Sequence, residues 1–329
     1  HLLSPTLLSD TWEKTKEILL SERDDEQKDP RALSNALAHF HRYGQNSRFR
    51  KRPSDADLNA STPQNLGTLI ADLLAVNRTI LYFGPRSVEE IEKTILEGMI
   101  GQKPTKETPP FSPDRSFQAS KNQVYFLQKE MAQAQVRLEF AVGTYEEEMT
   151  PLAQLYNEYF GGGMAGLVFQ ELREARALAY SAWAHFFTPS RPTEENILVG
   201  AIGCQADKTI EAVNAFMELL DNMPINQTRW ESAYSSVLST YRTNPSKSRS
   251  IPGFVFDYNA LGLQEDPRKN RYQKIQKVQI DDLKNFYEHK IQPQSILVSI
   301  VGDSDKIDLQ ELEKIGKVTA IRPEELFRR

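Results

Sequence analysis

Apolar positions along the chain recur with two different spacings, which predict a mixture of helices and strands. Helical spacing predicts helices over 8–24, 31–43, 62–75, 87–97, 150–160, 164–175, 206–222, 226–244, 251–262, 281–289 and 308–315. Apolar and β-branched runs predict strands over 78–83, 122–128, 134–142, 178–188, 196–203 and 296–301. Because helices and strands do not alternate one by one, the order favours an α+β fold, with a layered antiparallel or mixed sheet packed against helices.

The same order of features occurs twice, which predicts an internal repeat. Three pairs of features are each 218 positions apart: Trp12 and Trp230, Tyr43-Gly44 and Leu261-Gly262, and the strand-like runs that end at Gly84 and Gly302. A general likeness between any two helix-helix-strand segments is the alternative interpretation. A unit of 218 residues fits only one and a half times into 329.

The repeat predicts how the chain divides. We expect residues 1–110 to be the mostly helical second half of one unit, 111–120 to be a linker, and 121–329 to be a complete unit. A stretch rich in proline and polar residues, 101–113, marks the boundary. The first piece should lack the opening strands of its own sheet and expose an edge and apolar surface. Because the sequence begins at His1 without an initiator Met, we also expect it to be part of a longer polypeptide.

Composition and charge exclude several classes of protein. The 40 basic and 45 acidic residues give a net charge of -5, which argues against nucleic acid as a partner. The basic run 48–52 is accordingly interpreted as a solvated loop. No apolar run reaches the roughly 18 residues that a membrane span needs. Cys204, the single cysteine, excludes an internal disulfide.

Candidate chemistry concentrates in residues 156–181. The consecutive glycines Gly161, Gly162 and Gly163 permit a tight turn between two helices, although a plain connection is an equal alternative. Arg173 and Tyr180 follow on either side of a predicted helix-to-strand corner. A guanidinium and a phenol could together hold a peptide carbonyl or an oxyanion. The alternative is that Arg173 pairs with Glu174 and Tyr180 caps the core.

This segment resembles the insulinase/pitrilysin family of zinc metallopeptidases. The matching residues are the glycine turn 161–163, the helix end Leu172-Arg173-Glu174 and the strand start Leu178-Ala179-Tyr180. The Asp281-Asp282-Leu283 helix and the strand ending Val301-Gly302-Asp303 are also similar to the family. The resemblance extends over essentially the whole chain and is greatest to the C-terminal half of the long, four-domain type.

The resemblance implies peptide hydrolysis by zinc held in an inverted His-x-x-Glu-His motif. This chain lacks that motif. Its nearest approach, Asn285 to His289, has Asn in the first position and lies on the wrong helix, while His39 and His41 point to different faces of one helix. We therefore expect no metal ligand and no cofactor in this chain, and zinc in a missing N-terminal half of the parent enzyme.

The leading hypothesis is the C-terminal, non-zinc-binding portion of a zinc metalloendopeptidase, inactive alone, with a peptide substrate. The resemblance implies that Arg173 and Tyr180 stabilise the reacting carbonyl in the assembled enzyme, and that Gly161, Gly162 and Gly163 join them in substrate binding. The expected partner is the N-terminal catalytic half of the same polypeptide, or a zinc-bearing subunit. The alternative is a catalytically inactive structural or interaction subunit of the same fold. The bacterial periplasm or cell envelope is the expected location.

Overall fold

A six-stranded mixed sheet forms the framework of the C-terminal two thirds of the chain. The computed structural model describes residues 8–97, 105–108, 110–292 and 295–329. The strands are β1 (Gln123–Gln128), β2 (Gln133–Thr144), β3 (Ala179–Phe187), β4 (Glu195–Gln205), β5 (Leu297–Gly302) and β6 (Lys317–Ala320). Their order across the sheet is β3-β4-β2-β5-β1-β6, with β1 parallel to β5 and β6 and the other pairs antiparallel.

Fifteen α-helical segments lie in the described residues. Before the sheet come α1 (Ser9–Glu26), α2 (Pro30–Tyr43), α3 (Arg48–Lys51), α4 (Asp55–Ala60), α5 (Pro63–Leu74) and α6 (Val88–Glu97). Those that follow β1 and β2 are α7 (Thr150–Tyr156), α8 (Leu167–Phe169), α9 (Thr209–Asp221), α10 (Gln227–Thr243), α11 (Ile251–Ala260), α12 (Arg268–Ile275), α13 (Ile280–Phe286), α14 (Leu309–Ile315) and α15 (Pro323–Leu326). The predicted α+β fold is confirmed.

The main core lies on one face of the sheet. Alternate strand residues such as Val136, Leu138 and Phe186 pack there against α7, α9 and α13, and their side chains are almost completely buried. The alternation of apolar and polar positions in β2 and β3 produces this face, because successive side chains of a strand point to opposite sides.

Helix α2 covers the opposite face, over β5, β2 and β1. Leu33 and Leu37 are buried there against Leu127 and Val301. The His41 ring stacks on Tyr125 with ring centroids 3.7 Å apart, and its Nδ1 lies 3.0 Å from the Ser299 Oγ. A second core thus joins the early helices to the sheet.

The predicted strand over 78–83 is wrong. Residues 77–83 adopt neither helix nor strand, and a single bridge joins Val76 to Lys106 nearby. A strand requires a hydrogen-bonded neighbour, and the described residues supply none beside this run. The predicted helix over 164–175 is also divided, into a short turn at 163–165, α8, and a π-helical segment over 170–175.

The division at residues 111–120 stays a prediction. The structure gives no helix or strand to the described residues between 107 and 122. In the described part of the chain, no helix is both long enough and apolar enough to span a membrane.

Acid should destabilise the protein through His41. Burial lowers the pKa of His41 to about 3, whereas the unfolded chain takes up this proton near the ordinary value of 6.5. The stability due to neutral His41 is therefore complete above pH 6.5 and is lost as the pH falls towards 3. We expect up to about 1.4 kcal/mol lost per pH unit, measured by urea unfolding.

The variant His41→Asn should have a shallower dependence of stability on pH over this range. His289→Asn serves as the matched control, because the His289 side chain is exposed. Equal slopes for His41→Asn and the parent chain would contradict the assignment.

Candidate functional site

The glycine turn packs directly on the backbone of β3. Gly161 ends a π-helical segment that begins at Asn157, and a Cβ placed on Gly161 would lie 1.8 Å from the carbonyl oxygen of Ala184. A Cβ on Gly162 would lie 2.4 Å from the Glu158 carbonyl oxygen, and Gly163 has a φ of +58°. These glycines therefore have a structural role, which is to allow a close approach and a left-handed turn. Their predicted part in substrate binding stays a prediction.

The π-helical segment 170–175 ends sharply just before β3. The amide of Leu178 donates to the Leu172 carbonyl at 2.9 Å, and Ala177 between them has a φ of +51°. Leu172 is fully buried and anchors this corner. Arg173 and Tyr180 consequently lie on either side of the same tight helix-to-strand connection, as the sequence predicts.

Arg173 points into solvent. Its side chain is 47% exposed, and its guanidinium carbon lies 4.8 Å from the centroid of the Phe169 ring. The Arg173 Nε is 3.6 Å from a Glu174 carboxylate oxygen, and the Glu174 side chain is 53% exposed. The alternative pairing with Glu174 is thus present, but an exposed pair of this kind is weak. Arg173 remains available to a ligand.

Tyr180 is an extra residue in β3. Ala179 pairs with Cys204 and Ser181 with Gly203, so Tyr180 forms a bulge between them. It is 53% exposed and does not cap the core. The Gln205 Nε2 donates to its phenol oxygen at 3.1 Å, which leaves the phenol proton free to donate elsewhere.

The bulge changes which side chains share the face of Tyr180. Simple alternation from Tyr180 would place Ala182 and Ala184 beside it, with Trp183 on the opposite face. That arrangement is wrong: Ala182 and Ala184 are buried, whereas Trp183 and Phe187 are 37% and 46% exposed. A bulge adds one residue and shifts the alternation.

An exposed row along β3 therefore includes Tyr180, Trp183, His185 and Phe187. The guanidinium of Arg137 on β2 lies 5.5 Å from the Trp183 ring centroid. Sequence reasoning did not connect this row with Tyr180 and missed the contact from Gln205. The alternation of alanines with bulky residues over 182–185 was a usable signal for the start of the row, whereas nothing in the sequence marked the bulge.

The histidines do not form a metal site in the described residues, where no three His, Cys, Asp or Glu side chains cluster suitably. The His289 Nδ1 lies 2.9 Å from the Asn285 carbonyl oxygen, and His39 lies against Ser47. Burial raises the pKa of the Cys204 thiol to about 11. These residues do not fit zinc.

The basic run 48–52 is engaged within the protein. Lys51 lies 2.7 Å from Asp114, and Arg52 lies 2.6 Å from Glu26. Arg50 donates to the Glu325 carbonyl at 2.5 Å. Its residues form α3 and the residue after it, rather than the predicted solvated loop.

Residues 75–236 match the family model of the peptidase M16 inactive domain. This match confirms the predicted resemblance to the insulinase/pitrilysin peptidases, and it supports a non-catalytic C-terminal part of such a peptidase. No curated protein matches the sequence.

Solved structures share the fold at low identity. The peptidase M16 inactive domain from Pseudomonas fluorescens is 15% identical, with 92% of this chain and 73% of that chain covered and a TM-score of 0.70. A protease from Helicobacter pylori is 14% identical, with 90% and 73% covered and a TM-score of 0.67. The periplasmic protease PqqL from Escherichia coli is 12% identical, with 91% and 33% covered and a TM-score of 0.64.

Alanine substitutions in the glycine turn should destabilise the protein to different extents. Gly161→Ala should destabilise the protein by about 3 kcal/mol or more, because the added methyl meets backbone that cannot move freely. Gly163→Ala, which meets open space, should lose only about 1 kcal/mol through its positive φ. The free energy of unfolding, measured with urea, tests both.

Gly67→Ala in α5 is the matched control, because nothing lies within 4 Å of its Cβ position and its φ is not positive. It should stabilise the chain by about 0.5–1 kcal/mol. A loss at Gly161 no larger than that at Gly163 would contradict the close approach to β3.

Proposed function

We propose, from the match of residues 75–236 to the peptidase M16 inactive domain, that this chain is the non-zinc-binding portion of a zinc metallopeptidase. Its role is to bind part of the peptide substrate and to stabilise the transition state of hydrolysis. The zinc and its ligands belong to the N-terminal half of the parent polypeptide, or to a zinc-bearing partner subunit. Alone, the chain does not hydrolyse peptides.

The observation that carries this proposal is the exposure of Arg173 and Tyr180 at one corner. Both side chains are about half exposed, which leaves a long cation and a phenol facing solvent beside a rigid turn. The Arg173 guanidinium and the Tyr180 phenol do not fill the core, so packing of the corner does not require them. Leu172 and the glycine turn already supply the packing.

The chemistry of the two groups suits a developing oxyanion. Attack on a peptide carbonyl places negative charge on its oxygen, and donors held in position stabilise that charge more than the neutral carbonyl. Tyr180 has a free phenol proton because Gln205 donates to its oxygen. Arg173 adds a permanent positive charge and several N–H donors.

The rest of β3 suits an extended peptide. Trp183 and Phe187 continue from Tyr180 along the exposed face, and aromatic rings supply much contact area at low entropic cost. β3 is also an edge strand of the described sheet. Gly161, Gly162 and Gly163 contribute by holding the corner against β3, in addition to any contact with peptide.

A catalytically inactive structural subunit of the same fold is the second candidate. The contact between Arg173 and Glu174 favours it, because a paired arginine needs no substrate. A chelator test on the complete protein separates the two. Peptide cleavage by the complete protein that stops with chelator supports the peptidase, whereas absence of cleavage supports the structural subunit.

Tyr180→Phe in the complete enzyme should lower kcat about 100-fold, the scale on which a lost oxyanion donor acts, with KM almost unchanged. Arg173→Gln should lower kcat/KM, and Arg173→Lys should restore only part of it because lysine lacks the planar fork. Steady-state cleavage of a fluorogenic peptide measures both.

Tyr234→Phe is the control, because the Tyr234 phenol donates to the Gln276 carbonyl and is not part of the corner. Its kcat should stay near that of the parent enzyme. An unchanged kcat in Tyr180→Phe, with the zinc-dependent activity intact, would remove the catalytic role while leaving the peptidase assignment in place.

A further inference from the structure

Arg137 lies on the same face of the sheet as Trp183. Val136 and Leu138 point into the main core, so Arg137 between them points to the opposite face, where α2 contacts β2. One guanidinium nitrogen of Arg137 donates to the side-chain oxygen of Asn35 in α2. The Arg137 side chain is therefore held between α2 and the exposed row of β3.

Arg137 reaches across β4 to Trp183. Ala201 in β4 pairs with Arg137 on one side and with Trp183 on the other, and its methyl group is small enough for the guanidinium to pass above it. The guanidinium carbon lies 5.5 Å from the centroid of the Trp183 ring, a distance at which a cation is attracted to an aromatic face. A cation and an aromatic ring are thus presented together on the row that continues from Tyr180.

No carboxylate of the described residues forms an ion pair with Arg137, whose hydrogen bond goes to a neutral amide. Glu139, the acid on the same face of β2, is 5% exposed and lies 3.6 Å from a guanidinium nitrogen of Arg42 instead. Burial lowers the pKa of Arg137, Glu139 partly opposes this shift, and Arg42 adds to it. Arg137 has thus lost water without gaining a paired carboxylate, and a carboxylate from a ligand would stabilise its charge.

The strand register gives the distance from Tyr180. The Tyr180 phenol contacts Gln205 at one end of β4, and Trp183 pairs with Ala201, four residues earlier in β4. Four residues of a strand span roughly 13 Å, at about 3.3 Å per residue. A peptide that lies extended along β3 would therefore place a side chain near Arg137 when that residue is about three or four positions from the carbonyl at Tyr180.

We infer that Arg137 and Trp183 form a subsite for a carboxylate of the peptide, about three or four residues from the bond that is cleaved. The carboxylate accepts hydrogen bonds from the Arg137 guanidinium, and the residue that carries it packs on the Trp183 ring. The inference rests on the proposed function, because it requires that peptide lies along β3. It adds a preference for acidic peptides, which stabilisation of the reacting carbonyl does not require.

Peptide cleavage by the complete enzyme tests the position of the subsite. Fluorogenic peptides with an amidated C-terminus carry one Glu, which is moved along both sides of the scissile bond, and each has a matched peptide with Gln in its place. kcat/KM should be about 10-fold higher for Glu than for Gln at about three or four positions from the bond, and nearly equal elsewhere. The difference should lie mainly in KM, because the contact is the same before and during the reaction.

A second pair of peptides identifies the source of the carboxylate. Both end in Gln at the selected position, with a free C-terminal carboxylate in one peptide and an amide in the other. A higher kcat/KM for the free carboxylate, without an effect of Glu in the first set, assigns the subsite to the peptide C-terminus. An effect of Glu assigns it to an acidic side chain.

Variants of Arg137 test the cation itself. Arg137→Gln should abolish the preference for Glu, Arg137→Lys should keep part of it, and Arg137→Glu should reverse it in favour of a peptide with Lys. Arg229→Gln is the matched control and should keep the preference: the Arg229 guanidinium carbon also lies over a ring, 5.8 Å from the centroid of Tyr159, but Tyr159 belongs to the main core. Each ratio compares two peptides on the same protein, so partial unfolding of a variant cancels.

Peptide binding to the 329-residue chain separates failure of the subsite from failure of the peptidase role. The chain has three tryptophans, so its indole N–H groups give three NMR signals, and the variant Trp183→Phe assigns one of them. The Glu peptide should shift the Trp183 signal more than the Gln peptide does, and should leave the signals of Trp12 and Trp230 in place. Arg137→Gln should remove the difference between the two peptides.

Equal kcat/KM for Glu and Gln at every position, and for free and amidated C-termini, would overturn the subsite, while the cleavage itself would leave the peptidase proposal intact. A preference that survives Arg137→Gln would overturn it as well. So would a preference confined to residues next to the scissile bond, because Arg173 would then be the cation involved. Shifts of the Trp183 signal that depend on Glu and on Arg137, without peptide cleavage by the complete protein, would support the subsite and remove the peptidase role.

Discussion

The sheet has two apolar faces, and both must be covered. One face receives the helices of its own unit, while the other receives α2, which comes from earlier in the chain. Leu33 and Leu37 are buried against strands of the C-terminal unit. The His41 ring stacks on Tyr125, and burial lowers the pKa of His41 so that the ring is neutral there. Burial of apolar surface is the dominant favourable contribution to folding. It therefore holds α2 against the strands of the C-terminal unit, although the two lie far apart in the sequence.

The proposed site depends on the rigidity of this framework. A carbonyl oxygen of β3 occupies the space where a side chain at Gly161 would be, so turn and strand are locked together. Leu172 anchors the corner from inside. The backbone from which Arg173 and Tyr180 project is consequently held in place, and this positioning reduces the entropy lost when the two side chains meet a substrate.

Sequence periodicity predicts most of the helices and strands, because the spacing of apolar residues determines which side of each element is buried. It fails where no apolar stripe exists: α12 buries only Ile275, and β6 has four residues on the rim of the sheet. It also fails at 78–83, where a strand-forming sequence lacks neighbours. The position of Tyr180 is the reverse case, since one additional residue in β3 redirects several side chains without leaving a mark on composition.

Cys204 gives the molecule a practical property. Its thiol is buried, and its raised pKa keeps it protonated and unreactive at neutral pH. As the single cysteine of the chain, it leaves the surface chemically silent towards thiol reagents. A spin label or fluorophore attached through one introduced surface cysteine of this chain would therefore report from that position alone.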